Sequence, residues 1–148
     1  MRLLIQRVAK ASVEIESETI SSIGAGYVIL LGIFEDDAAD DVTKSVQKLV
    51  NLRIMSDDEG KMNRSILDVH GEILLVSQFT LCADLTFGRR PSFIKAKKPE
   101  EAEKLYKQMI TEIEKVGLSV QTGRFGSYMT VKIENDGPVT IILDSKKI

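Results

Sequence analysis

The densest group of side chains able to do chemistry is Ser77-Gln78-Phe79-Thr80-Leu81-Cys82-Ala83-Asp84. A run of pure hydrocarbon, Ile73-Leu74-Leu75-Val76, leads straight into it. Where a buried strand ends and its polar residues meet solvent, hydroxyls and amides are placed to bind or to react. Ser77 and Thr80 equally suit a turn whose backbone groups they satisfy, so the pattern alone leaves both readings open.

Other chemistries fall by subtraction. The chain has one histidine, His70, and one cysteine, Cys82. A Ser-His-Asp triad needs a histidine beside its nucleophile, and Asp68-Val69-His70-Gly71 reads as an exposed turn in which His70 is incidental. Cys82 has no histidine left to act as its base and suits a small buried apolar role. The same counts exclude an ordinary Cys/His zinc site. There is no GxxxxGK[ST] phosphate loop and no HExxH motif, and Gly24-Ala25-Gly26 is a turn rather than a dinucleotide fingerprint. No metal and no cofactor are expected.

Two further segments stand out. Asn135-Asp136-Gly137-Pro138 carries an Asp-Gly pair between apolar runs, which predicts a hairpin turn. Its Gly-Pro bond is of the kind that adopts cis in about 5–6% of cases. The stretch Gly88 to Lys98 holds Arg89, Arg90, Lys95, Lys97 and Lys98 with no acid, and Phe87 and Phe93 lie among them. That is a candidate phosphate-contacting stripe, although a solvated loop fits equally well. Lys44, Lys48, Lys146 and Lys147 are positioned to extend it.

The elements that must hold these residues follow from periodicity. Leu3 to Val8 and Ala11 to Ile15 read as strands around a polar break, and Tyr27 to Phe34 as a strand buried on both faces. Asp36 to Leu52 reads as a helix with a stripe of Ala39, Val42, Val46, Leu49 and Val50. Its early aspartates suit the positive end of the helix dipole. Asp58-Glu59-Gly60 reads as a turn, and Glu72 to Gln78 as a strand. Pro99 opens a second helix with a stripe of Ala102, Leu105, Tyr106, Met109, Ile110, Ile113 and Val116, closed by Gly117. Leu118 to Gln121, Tyr128 to Glu134 and Val139 to Leu143 read as closing strands, the last two joined by 135–138.

This order predicts a mixed α/β or α+β fold, a curved, barrel-like sheet packed with two main helices. At 148 residues, 43% hydrophobic and 28% charged, a single domain over 1–148 is expected to bury a core without disulfides. A formal net charge of −2 means that any nucleic-acid contact must be local. The opening MRLLIQRVAK is unlike a signal peptide, and no apolar run approaches the ~20 residues that span a bilayer. A cytoplasmic protein with no membrane association is expected.

At this point the motifs combine. Met1-Arg2, Gln6-Arg7-Val8, Ala11-Ser12-Val13, Val50-Asn51-Leu52-Arg53-Ile54 and Gly60-Lys61-Met62-Asn63 resemble segments of bacterial D-aminoacyl-tRNA deacylases. So do Gly88-Arg89-Arg90-Pro91-Ser92-Phe93, Thr122-Gly123-Arg124-Phe125-Gly126 and Asn135-Asp136-Gly137-Pro138-Val139-Thr140. Ser77-Gln78-Phe79-Thr80-Leu81 resembles that family's active-site motif. The likeness covers essentially the whole chain in register. Cys82 departs from it, standing where many members carry Tyr.

The resemblance implies hydrolysis of the ester of D-aminoacyl-tRNA, and of glycyl-tRNA mischarged on tRNA(Ala), with L-aminoacyl esters excluded. It implies Ser77, Gln78, Phe79 and Thr80 as catalytic residues, and backbone N–H groups at Phe79 and Thr80 holding the oxyanion while a ribose hydroxyl of the tRNA assists the attacking water. It also implies a homodimer in which a cis Gly137-Pro138 reaches the partner's active site, held by Arg7 and flanked by Met129. A nucleic-acid-binding protein without turnover is the competing reading, and an esterase of small free esters a weaker one.

Overall fold

The structure is a computed structural model describing residues 1–148. Its first strand, β1 (Arg2–Ile15), organises the sheet. One edge of β1 pairs antiparallel with β3 (Gly26–Gly32) through residues 2–8 and with β2 (Glu18–Ile23) through residues 11–15. Its other edge takes β8 (Thr130–Asp144) along almost its whole length. The polar break expected near residues 9–10 is not a break. Ala9 is the extra residue where Val8 and Lys10 pair with the adjacent Asn135 and Glu134, so β1 bulges and continues.

Helix α1 (Ala39–Val50) follows β3. It starts three residues later than its acidic pattern suggests, because Asp37 is used elsewhere. The Asp37 carboxylate accepts the Phe34 N–H at 2.7 Å and pairs with the Met1 ammonium. Asp41 caps instead, accepting the Ala38 N–H at 2.9 Å. Ala39 is consequently exposed, while Val42, Val46, Leu49 and Val50 are buried. A small ribbon, β4 (Met55–Ser56) and β5 (Met62–Arg64), closes on the turn containing Gly60.

Strand β6 (Glu72–Ser77) pairs parallel with β3, and β7 (Val120–Thr122) pairs parallel with β6. Between them lies α2 (Pro99–Lys115), with Pro99 in its first turn and Gly117 beyond its end at φ +88°. Val116 falls just outside the helix and is exposed rather than buried. The hydrogen-bonded order is β2-β1-β3-β6-β7, and β2 curls back to touch β6 and β7, giving a nearly closed, barrel-like sheet.

The alternation of side chains divides the core in two. Tyr27, Ile29, Leu31, Ile73 and Leu75 face the helices and pack with Val42, Leu49, Tyr106, Met109 and Ile113. Val28, Leu74 and Val76 face the other way and pack with Val8, Val13 and Ile23. Both β3 and β6 are thus buried on both faces, which is why each is a continuous apolar run. No helix is long and apolar enough to cross a membrane.

One expected turn is not a turn. Residues on both sides of 135–138 pair with β1 in the same direction, Glu134 with Lys10 and Thr140 with Gln6. The four residues Asp136 to Val139 lie opposite Arg7 alone. The segment is an outward excursion from one strand, not the tip of a hairpin. The Asp-Gly pair does mark a departure from regular strand, but the chain does not reverse there.

Candidate active site

β6 delivers the polar segment to the protein surface. Its apolar residues end at Val76, Ser77 closes the strand, and the chain tightens into a 3-10 turn over Phe79–Cys82. The turn is held on β3: the Gln78 N–H donates to the Leu31 carbonyl at 2.8 Å, and a Cβ on Gly32 would lie 2.8 Å from the Leu81 Cβ. A glycine at position 32 therefore allows the close approach. From β1, Arg2 donates to the Leu81 carbonyl at 3.1 Å. The first N–H groups of any such turn lack acceptors within it, and Gln78 supplies no side-chain cap to them. Its amide donates instead to the Thr80 hydroxyl.

This turn borders a cleft of about 840 Å³. Ser77, Gln78, Phe79 and Thr80 form one side, and Phe125, Gly126, Ser127, Tyr128 and Met129 another. Phe93 and the segment Ala96 to Pro99 complete the mouth, with Phe93 edge-on to Phe79 at 5.0 Å between ring centres. Met129 is held in this lining by its neighbours: its sulfur lies 3.4 Å from the Arg124 nitrogen, which donates to it, and would be 2.6 Å from a Cβ on Gly123.

The cleft contains no carboxylate, no histidine and no thiol. Its two lysines are Lys97, which donates to the Glu35 carbonyl at 2.7 Å, and Lys98 at the start of α2. Cys82 lies behind the turn at 2% exposure, with its thiol pushed up to about 11, by burial first and by the negative charge of Asp37 second. It is a protonated packing group. His70 is exposed in a turn at φ +50° and does not border the cleft.

Arg7, Gly137 and Pro138 form a separate group. Arg7 is 7% exposed, and its guanidinium donates to the Asp136 carbonyl at 3.1 Å and to the Ile54 carbonyl at 2.8 Å. Gly137 has φ +133°, the Gly137–Pro138 bond is cis, and both residues are exposed. Neither borders the cleft of its own chain. Met129 belongs to the cleft, so the chain does not bring it together with the dipeptide in that site. The residue pattern singled out neither Ser127 nor Tyr128, which line the cleft beside Met129; Tyr128 is 96% exposed. Its position just before a strand gave no distinguishing signal.

Fold and site together define a single-domain α+β protein. Its cleft offers hydroxyls, an amide and backbone N–H groups, and no side-chain acid–base pair. The family described as D-Tyr-tRNA(Tyr) deacylase matches residues 4–144. A D-aminoacyl-tRNA deacylase of a Thermoanaerobacter species is 57% identical over 148 residues, spanning 100% of this chain and 99% of the relative. That of Aquifex aeolicus is 49% identical and covers 100% of both chains. The solved structure of a protein named "c-Myc DNA Unwinding Element Binding Protein" is 42% identical and superposes with a TM-score of 0.91, over 97% of this chain and 98% of that one. The chain belongs to the D-Tyr-tRNA(Tyr) deacylase family.

Proposed function

We propose that the chain hydrolyses the ester of D-aminoacyl-tRNA, and of glycyl-tRNA mischarged on tRNA(Ala), with its backbone rather than with a side-chain nucleophile. Deacylase activity follows from family membership; the mechanism and its stereochemistry are the proposal. The observation that carries it is the cleft bordered by Ser77 to Thr80 without a carboxylate, imidazole or thiol. An aminoacyl ester is already activated. Water adds to its carbonyl carbon and gives up a proton, the carbonyl oxygen takes up negative charge, and the tetrahedral species collapses with the bond to the ribose oxygen breaking as that oxygen takes up the proton. A free D-amino acid and tRNA are released.

The N–H groups of Phe79 and Thr80 at the start of the 3-10 turn hold the developing oxyanion. One preorganised donor of this kind contributes about 3 kcal/mol. Ser77 and Gln78 shape the pocket, and the neighbouring ribose hydroxyl of the tRNA assists the water. Two copies assemble so that the Gly137-Pro138 of one reaches the cleft of the other. The exposure of that dipeptide, its separation from its own cleft and the unpaired outer edge of β8 support this arrangement. In the assembly the substrate amino group docks on the dipeptide's carbonyls. An L side chain then points into backbone, whereas a D side chain or the hydrogen of glycine does not. Reaction takes place in the cytoplasm, where charged tRNA is found.

Incubation with D-tyrosyl-tRNA and L-tyrosyl-tRNA, following ester loss, tests the activity. The expected result is rapid loss of the D-ester with the L-ester spared. The 42%-identical protein is named for DNA binding, which favours a second reading, a nucleic-acid-binding module. Salt-dependent tRNA binding with both esters intact is the outcome that would establish it.

A further inference from the structure

We infer that the loop from Leu85 to Pro91 is a phosphate grip for the 3′ strand of the tRNA, built onto the cleft mouth and separable from the hydrolytic site. The inference rests on the deacylase reading and adds the contact that the reading leaves unassigned. Its starting point is an imbalance of charge. The loop and the segment after it carry five cations and no acid from residue 85 to residue 98, in a chain whose net charge is −2.

The structure sorts these cations into occupied and free. Lys95 pairs with Asp84 at 2.8 Å, and Lys97 donates to the Glu35 carbonyl at 2.7 Å. Arg89, Arg90 and Lys98 make no ion pair and are exposed, as is Arg124, next in the chain to the cleft residue Phe125. Of the lysines considered as extensions of this stripe, Lys146 is occupied by Asp41 at 3.0 Å, Lys44 and Lys48 lie on α1, and Lys147 lies in the chain's final turn, all outside this loop.

The loop is fixed at its base. Asp84 and Ser92 exchange two backbone hydrogen bonds of 2.8 and 3.0 Å, and the Asp84 carboxylate also accepts the Thr86 N–H at 3.0 Å. The one acid at the base is thus already neutralised, so it does not compete with an incoming anion. Immediately after Ser92, Phe93 packs on Phe79 in the cleft wall. The free arginines therefore sit on a projection anchored beside the hydrolytic turn. When the esterified nucleotide occupies the cleft, the phosphates preceding it must leave past this mouth. Paired guanidinium groups suit that occupant, because the planar fork matches phosphate oxygens. Backbone contacts of this kind carry affinity without reading sequence.

The test compares three D-aminoacyl esters: of adenosine, of a short 3′-terminal oligonucleotide and of full-length tRNA. For the wild type, KM should fall as phosphates are added. The double variant Arg89→Ala/Arg90→Ala should lose that gain, raising KM about ten-fold for oligonucleotide and tRNA and lowering the slope of log KM against log salt by about 1.4. Its turnover of the adenosine ester, which has no phosphate, should be unchanged; this also reports that the variant is folded. Arg89→Lys/Arg90→Lys should restore most of the salt slope. Equal kinetics of wild type and Ala variant on all three esters would overturn the proposal, and a defect seen with full-length tRNA alone would overturn the assignment to the 3′ strand. Loss of adenosine-ester turnover would show that the loop is not separable. Absence of hydrolysis of every ester by the wild type would instead sink the deacylase reading beneath it.

Discussion

Arg7 and Asp136 are joined twice: the Arg7 Nε donates to the Asp136 backbone carbonyl at 3.1 Å and lies 3.0 Å from its carboxylate. A buried cation from the middle of β1 thereby fixes the base of the only excursion in β8. The same guanidinium reaches the Ile54 carbonyl at 2.8 Å and Ser56 Oγ at 3.3 Å, tying three chain segments together. Arg7→Ala leaves the buried Ile54 carbonyl without this donor. Urea unfolding should show a loss of about 2 kcal/mol, and the ratio of D- to L-ester hydrolysis should fall. Arg7→Lys should recover part of the stability but not the ratio, since an ammonium cannot replace the fork. An unchanged ratio in both variants would remove Arg7 from the stereochemical gate.

Gly137 offers a sharper probe of the same excursion. Its φ of +133° is a conformation that a side chain rarely adopts, and an added Cβ would lie 2.7 Å from the Val139 nitrogen and 2.8 Å from Val139 Cγ2. Gly137→Ala must therefore deform the excursion, while the flanking pairs with β1 need not move. The expected cost is about 1 kcal/mol in stability, with the D/L ratio reduced more than the D rate itself. A variant that unfolds at the wild-type urea midpoint and keeps its ratio would argue that the excursion plays no part in selection.

These two positions show how far the residues speak for themselves. The cleft turn is legible because an abrupt change, from Ile73-Leu74-Leu75-Val76 to Ser77-Gln78, marks a buried strand reaching the surface. The helices are legible from their apolar stripes, and the departures lie at their ends, where Asp37 and Val116 answer to tertiary partners and caps rather than to periodicity. Strand β2 is invisible. Its residues Glu18-Thr19-Ile20-Ser21-Ser22-Ile23 are largely polar, and the turn before it places Glu16 and Ser17 at φ +51° and +68° without a glycine to announce it. The excursion at 136–139 escapes a reading by pattern because an Asp-Gly pair looks alike in a hairpin and in a strand that leaves its partner and returns. Only the register of β8 on β1 separates the two. Roles for the cleft residues came from resemblance, since two hydroxyls and an amide define no reaction by themselves.

Thr80→Val separates backbone from side-chain catalysis. The hydroxyl accepts a hydrogen bond from Gln78, and no carboxylate or imidazole in the cleft is available to deprotonate it. A nucleophilic alcohol needs such a base. The nearly isosteric variant keeps the Thr80 N–H, so most of the D-ester rate should remain. A fall of about 100-fold or more, the size expected when an oxyanion donor is lost, with tRNA binding intact would give the hydroxyl a direct role.

Cys82 should be chemically silent. With its thiol at about 11 and 2% exposed, it carries almost no thiolate at neutral pH, and the thiolate is the reactive form. Iodoacetamide at pH 8 should leave the native protein's mass and D-ester hydrolysis unchanged, and should add one label in urea. Fast labelling of the native protein accompanied by loss of activity would mean that the turn at Phe79–Cys82 opens readily in solution.

Acid should weaken the fold through the contact between α1 and the chain's final residues. Burial is the largest single influence on Asp41 and acts to raise its carboxyl. The Ala38 N–H, Lys146 and Ser145 together more than offset it and hold the group at about 2, against 3.8 for a free aspartate. Because the folded value is the lower one, the stability this group contributes is fully present above about pH 4. It is lost as pH falls through the folded value near 2. Asp84, Asp57, Asp68 and Asp144 are shifted in the same direction and add to the loss of stability in acid. Lys146 has the opposite sign: the hydrogen bond to Asp41 raises its value, so its contribution persists through neutral pH and fades only in strong alkali. Urea midpoints should accordingly stay flat from pH 5 to 8 and drop between about pH 4 and pH 2. Asp41→Asn should lower the midpoint at pH 7 and make the acid limb shallower. An acid limb of unchanged slope in that variant would place the pH sensitivity in the other aspartates.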